Sequence, residues 1–310
     1  MTASLYASLG LFSGLDTVTD PTRLDTVAVK TSDGFKTVRS LVEAMNVEID
    51  NSYALSSRAG LTSKLTGTSL HSLWANAAGT LCYFCDGLGL YKLHTDYSRT
   101  LIATLSNPDR TSFEEFNDRI YYSNGTDIGY IKEDVCYNIP QQIKRYKEPL
   151  PAGSFLCVYK GSLYVAKDII LYVGDPLSDC YDVRSGYRFF DSDITMLLSV
   201  EMGFYVSDKN KVWFLSQSGS APLELQRELA DTSPAIPYTG IRVSGNSIGE
   251  EGLPGMTGMW VSKKGICVGD AKGDVTNITK NKYILTDVYE GTSLIKTVDG
   301  VSHYMSILKG

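Results

Sequence analysis

No stretch of these 310 residues approaches the roughly 18–20 consecutive apolar positions that a membrane-crossing helix needs, so no such anchor is expected. Basic clusters are missing too: 29 Lys and Arg are dispersed among 35 Asp and Glu, for a net charge of −6. Proteins that grip nucleic acid need clustered cations on the phosphates, which sets sequence-specific DNA or RNA binding aside. Histidine is scarce, with His71, His94 and His303 standing apart from other ligand-type residues. The first 22 residues contain no Lys or Arg and no compact apolar block, so no secretory leader is read there. The six cysteines (82, 85, 136, 157, 180 and 267) are accordingly expected as reduced thiols of a protein made in the cytoplasm. Strong helix formers are concentrated nowhere for long.

What is present is a repeat. Leu81-Cys-Tyr-Phe-Cys-Asp-Gly, Ile120-Tyr-Tyr-Ser-Asn-Gly, Leu163-Tyr-Val-Ala-Lys-Asp and Phe204-Tyr-Val-Ser-Asp-Lys each begin a short strand, a tight turn and a second strand. Their starts at 81, 120, 163 and 204 are 39, 43 and 41 positions apart. A period of roughly 40–50 residues built of short strands is the pattern of propeller blades. An apolar strand leads into each copy: Leu70–Trp74, Ser112–Phe116, Phe155–Tyr159 and Thr195–Val200. Tyr, at 20 residues against 10 Phe, suits half-buried strand positions where the ring packs and the hydroxyl reaches water. The fold class expected is all-β, a β-propeller of six blades with five as the alternative.

The chain divides into residues 1–40, an irregular extended N-terminal arm, and residues 41–310, the propeller. Val38, Leu41, Val42 and Met45 fall at helical spacing and predict one short helix. A hairpin follows over 46–60. A fifth copy is read at Met259–Val261 and Ile266–Val268, after a Ser, Pro and Gly-rich insertion at 217–257. Tyr283–Leu285 is expected to continue its sheet. A last hairpin, 292–307, is expected to share a sheet with 45–66 and so close the ring from both termini.

None of the chemical motifs is complete. Cys82 and Cys85 form a CxxC, but a zinc site needs a second pair or nearby histidines, and i and i+3 on a strand face opposite ways. Gly245-Asn-Ser247-Ile-Gly249, followed by Asp287 and His303, has the order of an α/β-hydrolase triad. Gly252, Pro254 and Gly255 interrupt the helix that such an elbow requires. Asp270 to Asp274 has too few oxygens in register for a calcium loop. Ser207 to Trp213 faintly matches the Asp-box of sialidases, and Asn124 and Asn277 start glycosylation sequons. No catalytic, cofactor-binding or metal-ligating residue is assigned, no cofactor is expected, and the chain does not read as an enzyme.

Two stretches carry a family resemblance. One is Leu41-Val-Glu-Ala-Met-Asn46-Val-Glu-Ile-Asp50 with Arg58-Ala-Gly60 and Leu70-His-Ser-Leu-Trp74. The other is Ile170–Asp175, Tyr187-Arg-Phe-Phe-Asp191-Ser-Asp193-Ile and Gly203–Leu215. Together they resemble the β-propeller proteins of bacteriophage tail hubs and nozzles, including the packaged-DNA stabilisation proteins of short-tailed phages. The likeness spans 40–307 as weak motifs, in a chain shorter than many such proteins. The resemblance implies a structural component of the virion tail, made in the host cytoplasm. Copies would form a ring around the DNA exit channel, six being the expected number. The ring would dock to a portal or adaptor and to other tail proteins, and packaged DNA would pass without specific binding. The alternative is a receptor- or glycan-binding propeller at a tail tip, and after it a propeller glycosidase.

Overall fold

The computed structural model describes residues 11–20, 27–31, 34–45, 47–49, 54–57, 60, 62–141, 145–216, 225–229, 232–245, 255–280, 282–298 and 301–310. Every regular element among them is a strand. Five antiparallel four-stranded sheets follow one another along the chain. Blade one is Leu70–Ala75, Cys82–Asp86, Gly89–Leu93 and Arg99–Thr104. Blade two is Ser112–Phe116, Arg119–Ser123, Ile128–Lys132 and Val135–Asn138. Blade three is Phe155–Tyr159, Ser162–Lys167, Ile170–Val173 and Tyr187–Phe189. Blade four is Ile194–Val200, Gly203–Asp208, Val212–Ser216 and Leu225–Glu228. Blade five is Ile241–Ser244, Met256–Ser262, Gly265–Gly269 and Val275–Asn277. A hairpin, Glu290–Val298 with Val301–Lys309, packs Ile295 and Tyr304 onto Val243, Met259 and Val268 of blade five. The fold is a β-propeller.

Local chemistry sets each blade. Inner and second strands are joined by two-residue turns such as Asn117-Asp118, with φ of 52° and 55°, and Lys160-Gly161, with φ of 45° and 74°. Positive φ at both central residues matches the twist of the flanking strands, and Asn, Asp and Gly tolerate it best. The following turn in blades two and four is held by a side chain. Asn124 accepts the amides of Thr126 and Asp127, and Asp208 accepts those of Asn210 and Lys211, both at 2.7 Å.

Packing between blades explains why the second strand carries the repeat. In blade four, Ile194–Val200 and Gly203–Asp208 are buried on both faces. Leu197, Phe204 and Val206 face blade three, while Met196, Leu198, Val200 and Tyr205 face blade five. One tyrosine per blade recurs at the same place: Tyr83, Tyr121, Tyr164 and Tyr205, all 3% exposed or less. Pairing aligns Tyr83, not Phe84, with the others, so the first copy starts at Cys82, one position later than the sequence pattern suggested. Three of the four hydroxyls meet the outer turn of the following blade instead of water. Tyr83 donates to Asp134 at 2.9 Å, Tyr121 to Asp179, and Tyr205 to the carbonyls of Asp270 and Asp274 at 2.8 and 3.1 Å. Blade five breaks the series with Met259.

Several expectations need correction. The described residues of 1–40 are largely regular, because Leu11–Leu15, Val27–Thr31 and Gly34–Leu41 form a three-stranded sheet. Alternating β-branched residues there outweigh the Gly, Ser and Asp that suggested a loop. The helix expected over 38–45 is absent; Val38, fully buried, lies in the third of these strands. This unit meets the propeller at Lys282, whose carbonyl accepts the Thr17 amide at 2.8 Å and whose ammonium lies 3.6 Å from Asp16. The hairpin within 46–60 is present as Val47–Ile49 paired with Leu55–Ser57. Among the described residues it shares no sheet with the terminal hairpin, whose unbroken register from Glu290↔Lys309 to Val298↔Val301 is internal. Residues 217–257 are only partly an insertion, since they supply the outer strand of blade four and the inner strand of blade five. Tyr283–Leu285 is not a strand but a segment tied to blade five by the Leu285 amide on the Lys263 carbonyl, at 2.9 Å.

The tyrosine latches are testable one atom at a time. Tyr83→Phe and Tyr205→Phe should each cost about 1 kcal/mol in urea unfolding, the net worth of the hydrogen bond each hydroxyl makes to the next blade. Tyr205→Ala should cost about 3–5 kcal/mol through the cavity it leaves.

Candidate functional site

The five inner strands and Glu290–Val298 surround one cavity of about 740 Å³ on the propeller axis. Each inner strand turns its two faces to the neighbouring blades and its edge to this space, so consecutive residues such as Ile241 and Arg242 both border it. Most of the lining is apolar, including Leu73, Trp74, Phe113 and Leu197. Against it lies a polar layer from four successive blades: Glu114 and Arg242, which line the cavity, with the buried Ser199 and Cys157 behind them. The Arg242 guanidinium donates to Glu114 Oε2 at 3.0 Å and to Ser199 Oγ at 3.1 Å. Blades two and five are not neighbours in the ring, so this ion pair spans its interior.

Electrostatics follow from burial. The Glu114 side chain is 11% exposed, and loss of water pushes its carboxyl up to about 7, with Arg242 pulling the other way. For Arg242 burial opposes the charge, but the Glu114 carboxylate outweighs it and the guanidinium pKa is raised. Burial pushes the Cys157 thiol up to about 12, so at neutral pH it is a protonated thiol and not a nucleophile.

At one end the cavity is closed by Arg110, between blades one and two. Its guanidinium lies 5.2 Å from the Tyr238 ring centre and donates to Glu290 at 2.9 Å. Tyr238 in turn packs on Phe155, with ring centres 4.9 Å apart. Beyond this barrier is a polar recess of about 400 Å³ bordered by Asp109, Asn124, Ser154 and Glu290.

The structure scatters the residues that sequence motifs singled out. Cys82 and Cys85 sit in blade one; Cys85 faces blade two and donates to Thr111, and burial raises both thiols. Ser247 and Gly249 lie outside the described residues. Asp287 bonds Thr286, and His303 pairs across the terminal hairpin with Lys296. His71 bonds Ser72 and the Gly87 carbonyl, and His94 bonds Thr100. Asp270 caps its own turn through the amides of Lys272 and Asp274. Ser207, with no exposed surface, bonds Thr195 and the Ala235 amide and serves blade packing.

The stretch 187–215 has a role of the same kind. Asp191 pairs with Lys211, Asp193 with Lys209, and Ser192 accepts the Lys209 amide, so the segment entering blade four clasps that blade's own turn. Sequence reasoning missed the axial layer. Its one available signal was charge within otherwise apolar inner strands, at Glu114 and Arg242.

No protein-family model matches the chain, and the search of curated proteins gives no match. Among solved structures it is similar to a gluconolactonase from Xanthomonas campestris, at 12% identity over 78% of this chain and 87% of that one, with a TM-score of 0.47. It is similar to BBS1N in complex with ARL6DN, at 10% identity over 97% and 95% of the two chains, with a TM-score of 0.49. A third is catalytically inactive virginiamycin B lyase from Staphylococcus aureus with quinupristin, at 11% identity, 93% and 97% coverage, and a TM-score of 0.46. These likenesses concern the fold alone.

Glu114 gives the axial layer a pH signature. Its folded pKa, about 7, lies above the ordinary 4.5, so between those values the folded protein binds the extra proton. Stability from this group is complete below about 4.5 and is lost as pH rises through about 7. The melting temperature of Glu114→Gln should therefore gain on the wild type across that window. Parallel pH profiles of the two proteins would contradict the assignment.

Proposed function

We propose that this protein is a structural component of a bacteriophage tail, a hub- or nozzle-type propeller that assembles into a ring around the DNA exit channel and docks neighbouring tail proteins. The reading rests on the resemblance carried by residues 41–74 and 170–215. The observation that favours it is the N-terminal three-stranded unit, built apart from the blades and joined to the propeller at Lys282. Exposed apolar residues on or next to that unit, Phe35 at 77% and Met45 at 74%, are side chains that contact with a neighbouring subunit would cover. A closed ring is the assembly expected when one surface of a subunit meets a different surface of the next. In that ring the DNA path runs between copies. The propeller's own axis, filled by the polar layer and closed by Arg110, is no part of it.

Native mass spectrometry and electron microscopy of the full chain test this. Closed rings of identical copies are expected, and removal of residues 1–41 should leave a folded propeller that stays monomeric. A full chain that remains monomeric at every concentration, or a truncated chain that still forms rings, would contradict the reading.

A further inference from the structure

We propose that the axial cavity is a binding site for a small apolar carboxylate. Its hydrocarbon or aromatic body would lie among Leu73, Trp74, Phe113 and Leu197, and its carboxylate would meet the Arg242 guanidinium. The inference does not depend on ring assembly. The cavity, about 740 Å³, has the size and the apolar lining of a small-molecule pocket. Three cations line it, Lys64, Arg110 and Arg242; Glu290 answers Arg110 and Glu114 answers Arg242, which leaves one positive charge in excess and favours an anion.

Arg242 is built to receive one. Among the described residues, Glu114 and Ser199 take two of its five N–H donors, and 37% of its side chain remains exposed. A guanidinium fork matches a carboxylate in a bidentate way, and its strength rises where water is excluded. Leu73 lines the same cavity and is 69% exposed, an apolar wall that the fold leaves largely open. Because the wall is assembled from the inner strands of five blades, the site is preformed, and binding forfeits little order. With its carboxyl pushed up to about 7, Glu114 is only partly protonated at neutral pH, so a second carboxylate beside Arg242 would drive uptake of the remaining fraction of a proton from the buffer onto Glu114.

Isothermal titration with monocarboxylates from phenylacetate through 4-phenylbutyrate to hexadecanoate tests the site, with 4-phenylbutanol as the uncharged match. At least one acid should bind saturably at one per chain. The alcohol should bind about tenfold more weakly or less, the cost of losing one charge-assisted hydrogen-bonded contact. Heats measured in two buffers of different ionisation enthalpy should reveal the proton taken up. Leu73→Asp, on an exposed wall position outside the packed interfaces, should abolish binding with the melting temperature unchanged, and Arg242→Lys should weaken it. Absence of saturable binding across the whole panel, equal affinity for acid and alcohol, or undiminished binding by Leu73→Asp would overturn the proposal.

Discussion

Burial of one blade's second strand against the next is the constraint on which the rest of this molecule depends. A sheet four strands wide has two faces, and in a propeller both must be covered by neighbours. Tyr83, Tyr121, Tyr164 and Tyr205 answer that demand at equivalent places, and three of them carry the contact outward to a turn of the following blade. A phenylalanine would fill the space but make no hydrogen bond to the following blade. Four of the chain's 20 tyrosines thus have their places set by the architecture. Blade four, covered on both faces, has the most complete burial, while the inner strand of blade one keeps Leu70 and Leu73 open.

The same constraint creates the axial space. Inner strands pack side by side and cannot converge to a point, so a central space remains that side chains must fill or leave open. Here they do both. Glu114, Ser199 and Arg242 form a bonded layer across the interior, with the Cys157 thiol buried beside them, and an apolar cavity remains against it. With Glu114 buried and Arg242 partly open to the cavity, the pair contributes little net stability, though removing Arg242 would leave a buried carboxyl without its partner. The pair's evident effect is to tie non-adjacent blades and to place a guanidinium fork beside an apolar wall.

Much of the fold was legible because it rests on local periodicity. The inner strands Ser112–Phe116 and Phe155–Tyr159 and the turns at Asn117-Asp118 and Lys160-Gly161 follow from alternation and turn chemistry within a few residues. The N-terminal strands were hidden because Gly14 and the Ser, Thr and Asp around it mimic loop composition. The inner strand Ile241–Ser244 was hidden by the Gly and Pro of its surroundings. The axial layer left only a faint trace in the sequence, the charges of Glu114 and Arg242. Its members lie at 114, 157, 199 and 242, each unremarkable in its own strand, and only ring closure brings them together. Conversely, the motifs most visible in sequence, from Cys82 to Cys85 and from Ser207 to Trp213, turn out to serve packing and turns.

The central claim is that blades hold one another, so that loss at one interface is felt across it. Hydrogen exchange followed by mass spectrometry on Tyr205→Ala measures this directly. The account predicts faster exchange in the outer strands of blade five, Gly265–Gly269 and Val275–Asn277, as well as in Gly203–Asp208. Faster exchange confined to blade four, with blade five unchanged, would contradict it.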